Sequence, residues 1–197
     1  MSDNLLQLIT VLLTTGTISL FWKDIKTFFC WIARGRKTKK FEDYFKNTVA
    51  VQKILKEIVK HGADRVMIFR AHNGGSMPQL GKRLYSSLAF CDYDPIVFPD
   101  GIHDLQNYIL EPSYIANLLK LMREDSISFE TSSMTEKQLK EIYQYEGIKF
   151  SKLYKLCTVG DSFYYMSVST KRDQNFTEVE DAGFNYAAGA LKSLLIG

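Results

Sequence analysis

The residues best suited to chemistry are Arg70-Ala71-His72-Asn73-Gly74-Gly75, where a short apolar run ends in a turn. Side chains two apart on a strand share a face, so Arg70 and His72 fall on the face of Ile68 while the strand lasts. The two glycines admit positive φ and let backbone approach a ligand closely. Arg70, His72 and Asn73 then supply donors for an anionic or polar ligand. The plainer alternative is a tight Asn-Gly-Gly turn with a histidine bonded to backbone, and the residues leave both readings standing. A second strand-like run carries Tyr85 and ends in Phe90-Cys91-Asp92-Tyr93-Asp94, two aromatics, a thiol and two carboxylates. Tyr85, Cys91 and Asp92 join Arg70, His72, Asn73, Gly74 and Gly75 in the expected ligand-binding set. A thiol site built from Cys91 and His72 is disfavoured, because adjacent acids raise a thiol's pKa.

Other chemistries find little support. His61, His72 and His103 show neither i,i+4 pairing nor an HExxH arrangement, so no metal site is expected. Gly74-Gly75 lacks the surroundings of a phosphate loop. Cys30, Cys91 and Cys157 are odd in number and far apart, with no CxxC spacing, which excludes a disulfide framework and fits a reducing compartment. No catalytic residue is expected. Tyr85, Phe90, Tyr93, Tyr108, Tyr114, Tyr154, Phe163, Tyr164 and Tyr165 would suit a ligand pocket, but such aromatics more often serve simply as core and sheet surface.

The elements that must position these residues follow from periodicity. Residues 38–61 read as one amphipathic helix, with Phe41, Tyr44, Phe45, Val49, Val51, Ile54, Leu55, Ile58 and Val59 recurring mostly at spacings of three and four and Gly62 placed to cap it. Arg65–Arg70 and Lys82–Phe90 read as strands. Pro112 opens a helix over Ser113–Met122. Ser126–Thr131 is a short strand, and Thr135–Gln138 has capping-box spacing before a helix that Gly147 closes. Lys152–Val159 and Ser162–Thr170 flank Gly160-Asp161, a two-residue hairpin signal. Thr177–Glu180 is a second capping box, starting a helix to about Leu195. The hairpin requires antiparallel pairing, so the layout is α+β, an antiparallel sheet flanked by N- and C-terminal helices.

Composition places this domain behind a membrane anchor. The chain has 197 residues, 46% of them hydrophobic, with 4 prolines and 12 glycines, which excludes disordered and collagen-like classes. The net charge of +3 is unevenly laid: residues 1–40 carry +5 and the remainder −2. Residues 5–22 run without a charge, long enough as a helix to cross a bilayer, and Trp22 stands at an interfacial position. Arg34, Arg36, Lys37, Lys39 and Lys40 come after it. The near absence of positive charge before the run speaks against a cleaved signal peptide, and a buried core helix is the other alternative. The expected organisation is therefore an anchor with a basic flank (1–40) and one domain (41–197), preceded by a single transmembrane helix. By the positive-inside rule the N-terminus lies outside and the domain faces the cytoplasm. The basic flank is a topology signal that also suits anionic lipid headgroups, and no nucleic acid is expected. The amphipathic helix 38–61 either packs on its own domain or pairs in a homodimer.

Residues 41–196 resemble the GAF fold of small-molecule sensors. The resemblance rests on Ala63–Gly75, read as a first strand entering a loop, and on Phe176–Leu195, read as the capped closing helix. It implies a membrane-tethered, non-catalytic sensor for a small polar or anionic ligand, with the cofactor unassigned. The NKFDE-type motif of cyclic-nucleotide-binding GAF domains is absent, and no chromophore-linking cysteine context is evident. The alternatives are a membrane-bound scaffold with a degenerate GAF-like domain that binds another protein, and a thiol enzyme of the GAF-like methionine sulfoxide reductase kind. That last group uses several neighbouring cysteines, whereas this domain has Cys91 and Cys157.

Overall fold

The computed structural model describes residues 46–73, 83–101 and 105–196, which apart from Lys46 belong to one compact unit, Asn47–Gly197. Residues 46–60 are helical (α1), and Val51, Leu55 and Ile58, four and three apart, are its buried stripe. The turn after α1 reaches Gly62 at φ +113°, with the Glu180 carboxyl packed where a Cβ would stand. Only glycine meets both demands. After this turn come β1 (Arg65–His72), β2 (Tyr85–Tyr93), β3 (Tyr108–Ile109), α2 (Pro112–Arg123), β4 (Ser126–Glu130), a 3-10 turn (Thr131–Ser133), α3 (Lys137–Glu146), β5 (Phe150–Val159), β6 (Ser162–Thr170) and α4 (Glu178–Ile196). The six strands form one sheet in the order β3-β2-β1-β6-β5-β4, every pairing antiparallel.

The central strands are covered on both faces, which alternation along β1 makes plain. Val66 and Ile68 pack with α1 and α4 through Leu55, Phe184 and Leu191. Met67, Phe69 and Ala71 point the other way, to Leu110 and to Tyr114, Leu118 and Leu121 of α2. Two bulges adjust this pattern. One, opposite Ile68/Phe69, displaces Ala89 of β2; the other lies between Lys155 and Cys157. The second lets the sequence neighbours Leu156 and Cys157 both join the α1–α4 core.

Within the described residues the expected strands and helices appear, with two corrections. The second strand runs Tyr85–Tyr93 rather than Lys82–Phe90, because the bulge keeps β2 in register with β1 as far as Arg65↔Tyr93. The Thr135 capping box does not form. The first turn of α3 is capped from another element: the Gln138 N–H donates to Glu111 Oε1 at 3.0 Å, while Glu136 accepts from Asn117 of α2 and from the Thr135 N–H. The Thr177 box does form, Thr177 N–H donating to Glu180 Oε2 (2.7 Å) and Glu180 N–H to Thr177 Oγ1 (3.3 Å). Gly160 carries φ +55° at the β5–β6 turn, as the hairpin signal requires.

Among the described residues no helix is long and apolar enough to cross a membrane. The expected span 5–22, the basic flank through Lys40 and the start of helix 38–61 lie outside those residues.

Candidate functional site

Between the sheet and the α2–α3 layer lies a cavity of about 50 Å³. Its sheet wall comes from β1, β2 and β6, through Arg65, Met67, Phe69, Ser86, Tyr165 and Ser167; its roof comes from α2 and α3, through Tyr114, Leu139, Tyr143 and Glu146. Local sequence explains the polar wall. Ser167 and Ser169 alternate with Met166 and Val168, so the serines face this side while their neighbours fill the α1–α4 core.

Buried polar groups this dense need partners, and most have them. Ser86 Oγ lies 2.9 Å from Tyr165 Oη, which accepts from Tyr114 at 3.4 Å. Tyr143 Oη donates to Ser151 Oγ at 3.1 Å, and Ser151 meets Ser167 and Ser169, each at 3.2 Å. Burial pushes the Tyr165 hydroxyl up to about 12 and raises Tyr114 well above the ordinary range, with the nearby phenols adding to the Tyr114 shift. Both stay protonated at neutral pH, so the wall offers neutral donors and acceptors, not bases.

Arg65 is the exception to this neutrality. It is 1% exposed, and Nη1 pairs with Glu146 Oε2 at 2.7 Å. Its guanidinium lies 5.2 Å from the centroid of the Phe98 ring, which Lys171 Nζ approaches to 3.9 Å. Arg65 Nε has no hydrogen-bond partner among the described residues. Outside the cavity an open groove runs along Leu105–Ile109 and α3, and Leu105, Tyr108, Ile142 and Glu146 line both spaces. These four residues form the lip between solvent and cavity.

None of the six described members of the expected ligand set lines this cavity. His72 is buried, with Nε2 2.9 Å from Ser87 Oγ and its ring stacked on Tyr85 at 6.0 Å. Ser87 Oγ accepts from the Asn107 N–H at 3.0 Å, and Asn107 is held at φ +53°. Arg70 is exposed and Asn73 half-buried, while Gly74 and Gly75 lie outside the described residues. Cys91 and Asp92 sit towards the far end of β2, opposite Met67 and Val66. The structure thus brings His72 and Tyr85 together and separates them from Cys91 and Asp92. Burial raises the Cys91 thiol with help from Asp92, against Arg65, and burial raises Cys157 too, so neither is poised as a thiolate. Among the described residues no group of His, Cys, Asp and Glu could hold a metal ion.

Sequence reasoning missed Arg65, Glu146 and the serines. Their signals were present: an arginine opening an otherwise apolar strand, and serines two apart inside a buried one.

Burial, then the Arg70 charge, lower the pKa of His72 below its ordinary 6.5. An unfolded chain therefore binds more protons than the folded one between that depressed value and about 6.5. Stability is expected to rise with pH through this window and level off above it. Urea unfolding from pH 5 to 8 should show that rise in the wild type and a flatter profile in His72→Gln; equal slopes would contradict it.

No family model matches the chain, and no curated protein matches it either. The solved structures give the fold. The GAF domain region of a candidate membrane protein from Geobacter sulfurreducens PCA aligns over 80% of this chain and 97% of that one, with a TM-score of 0.55 and 17% identity. The phycocyanobilin-bound GAF domain from a cyanobacterial phytochrome aligns over 81% and 90%, at a TM-score of 0.56 and 12% identity. The blue-light-absorbing form of the Thermosynechococcus elongatus PixJ GAF domain aligns over 78% and 86%, at 0.55 and 9%. The described domain has a GAF-like α+β fold.

Proposed function

We propose that the protein is a membrane-tethered, cytoplasm-facing sensor module whose GAF-like domain binds a small polar or anionic ligand and catalyses no reaction of its own. The observation that carries this reading is the cavity under α2 and α3, where a buried arginine and hydrogen-bonded tyrosine and serine hydroxyls meet apolar side chains. A few convergent polar groups in an apolar recess are the usual composition of a ligand site. The Arg70–His72–Asn73 turn is a second candidate contact region, on the other face of the sheet.

The tether rests on the uncharged run 5–22, Trp22 and the basic residues Arg34, Arg36, Lys37, Lys39 and Lys40, which also suit anionic headgroups. The Geobacter domain is likewise assigned to a candidate membrane protein. Helix 38–61 would carry a signal by pairing in a homodimer. Favouring that role, α1 and α4 flank an apolar groove lined by Ile54, Ile58, Val179 and Tyr186, the last two 83% exposed.

Two measurements test this reading on the full 197-residue chain. It is expected to sediment with membranes and resist carbonate extraction; recovery in the soluble fraction would overturn the tether. In detergent, a metabolite screen should raise its melting temperature with at least one small polar compound. A domain that no compound stabilises would instead be the membrane-bound protein-interaction scaffold.

A further inference from the structure

We infer that the Arg65 cavity takes a small monocarboxylate, and that Glu146 occupies the ligand's anionic position until it is displaced. The inference rests on the cavity being the ligand site proposed above, and it names the class of ligand and the switch.

The guanidinium is a planar fork able to grip one carboxylate through two parallel N–H groups. Glu146 engages Nη1, while Nε, in a side chain 1% exposed, has no partner among the described residues. A buried donor left without a partner is costly, so a carboxylate that meets both Nε and Nη is favoured over the contact in place. Glu146 also has a path outward. It is the last residue of α3, followed by Gly147 in the left-handed region at φ +74°, and it borders the open groove as well as the cavity.

Charge selects a monoanion. Arg65 is the one cation among the cavity's described lining residues, against Glu111 and Glu146. A carboxylate entering as Glu146 swings outward preserves the balance, whereas a phosphate dianion adds a further negative charge. Size selects a short chain. A cavity of about 50 Å³ suits a compact ligand with a short tail rather than an extended one. Met67, Phe69 and Leu139 suit an alkyl tail, and Ser86 and Tyr165 can bond a second polar group. Loss of the Glu146 contact would remove one tie between the C-terminal end of α3 and the sheet, leaving the Tyr143–Ser151 hydrogen bond as the other, and so give binding a structural consequence.

The test uses the full chain in detergent, with acetate, propionate and butyrate as probes and propionamide, propylammonium and inorganic phosphate as controls, read by calorimetry and melting temperature. Saturable binding of at least one carboxylate to the wild type is expected, about tenfold tighter in Glu146→Gln and about tenfold weaker in Arg65→Lys, which keeps the charge without the fork. Should Glu146→Gln not fold, the wild type and Arg65→Lys still decide. Equal binding of propionamide, a preference for phosphate, or carboxylate binding confined to Glu146→Gln would each overturn the inference. If a different compound stabilises the wild type and Glu146→Gln leaves its affinity unchanged, this inference falls and the cavity remains a ligand site. If no compound binds any variant, both fall.

Discussion

Replacing Arg65 by methionine is expected to lower the unfolding free energy by as much as about 3–5 kcal/mol, the full figure if the Glu146 carboxylate, only 9% exposed, stays stranded in place and less if it turns into the open groove. The penalty is chiefly the desolvation of the remaining charge rather than the lost attraction. Arg65→Met/Glu146→Met should therefore recover most of the loss, since apolar side chains of similar volume often replace a buried ion pair at little cost. Urea unfolding of the wild type, both single variants and the double variant closes the cycle. A double variant as unstable as Arg65→Met would show that the guanidinium is needed for folding through contacts other than Glu146, the Phe98 ring at 5.2 Å being the first to suspect. A recovered double variant would mean the pair is dispensable for the fold, so its place in the cavity wall has to be explained by what the cavity holds.

Phe184→Ala should cost about 3–5 kcal/mol as well, by a different mechanism. The ring is 1% exposed between α4 and the sheet and meets Tyr154 and Phe176 edge-on, with centroids 6.5 and 5.2 Å away. Truncation leaves a cavity that the stiff β5 strand cannot fill and removes two aromatic pairs. The polar tie beside it, Lys152 Nζ and Tyr154 Oη on Asp181 Oδ1 at 2.6 Å each, stays in place. Asn185→Ala, on the exposed side of the same helix and outside the α1–α4 groove, is the control and should change stability by less than about 0.5 kcal/mol. Similar losses from the two substitutions would mean that α4 is not held by its buried stripe.

Together these variants separate the two layers of the domain. Phe184 reports on the α1–α4 face, which would connect the domain to the proposed tether. Arg65 reports on the α2–α3 face, where a ligand would bind. The sheet lies between them, and β1 contributes to both through Ile68 on one side and Met67 on the other. A change at the cavity therefore has a short route to α1 through a strand packed on both faces.

Much of the fold was legible in the sequence because its signals are local. Gly160-Asp161 fixes a hairpin whatever surrounds it, Thr177 and Glu180 cap a helix within one turn, and the three-and-four spacing of Val51, Leu55 and Ile58 needs only helical geometry. The α+β class followed from the order of those elements. Where a signal was local but a distant group competed, the reading failed: Thr135 had the spacing of a cap, yet Glu111, 27 residues away from Gln138, takes that place.

The site depends on distant groups throughout. Periodicity assigns Arg65 to a strand and Glu146 to a helix end, but 81 residues separate them and nothing in either segment names the other. Only the strand order β3-β2-β1-β6-β5-β4 places Arg65, Ser86 and Ser167 on neighbouring strands beneath α3. The same tertiary pairing set His72 against Ser87 and left it on the opposite face from the cavity. Sequence determined the elements, because turns, caps and hydrophobic periods act over a few residues. The tertiary structure decided which polar groups share one buried space, because only long-range pairing makes desolvated charges neighbours.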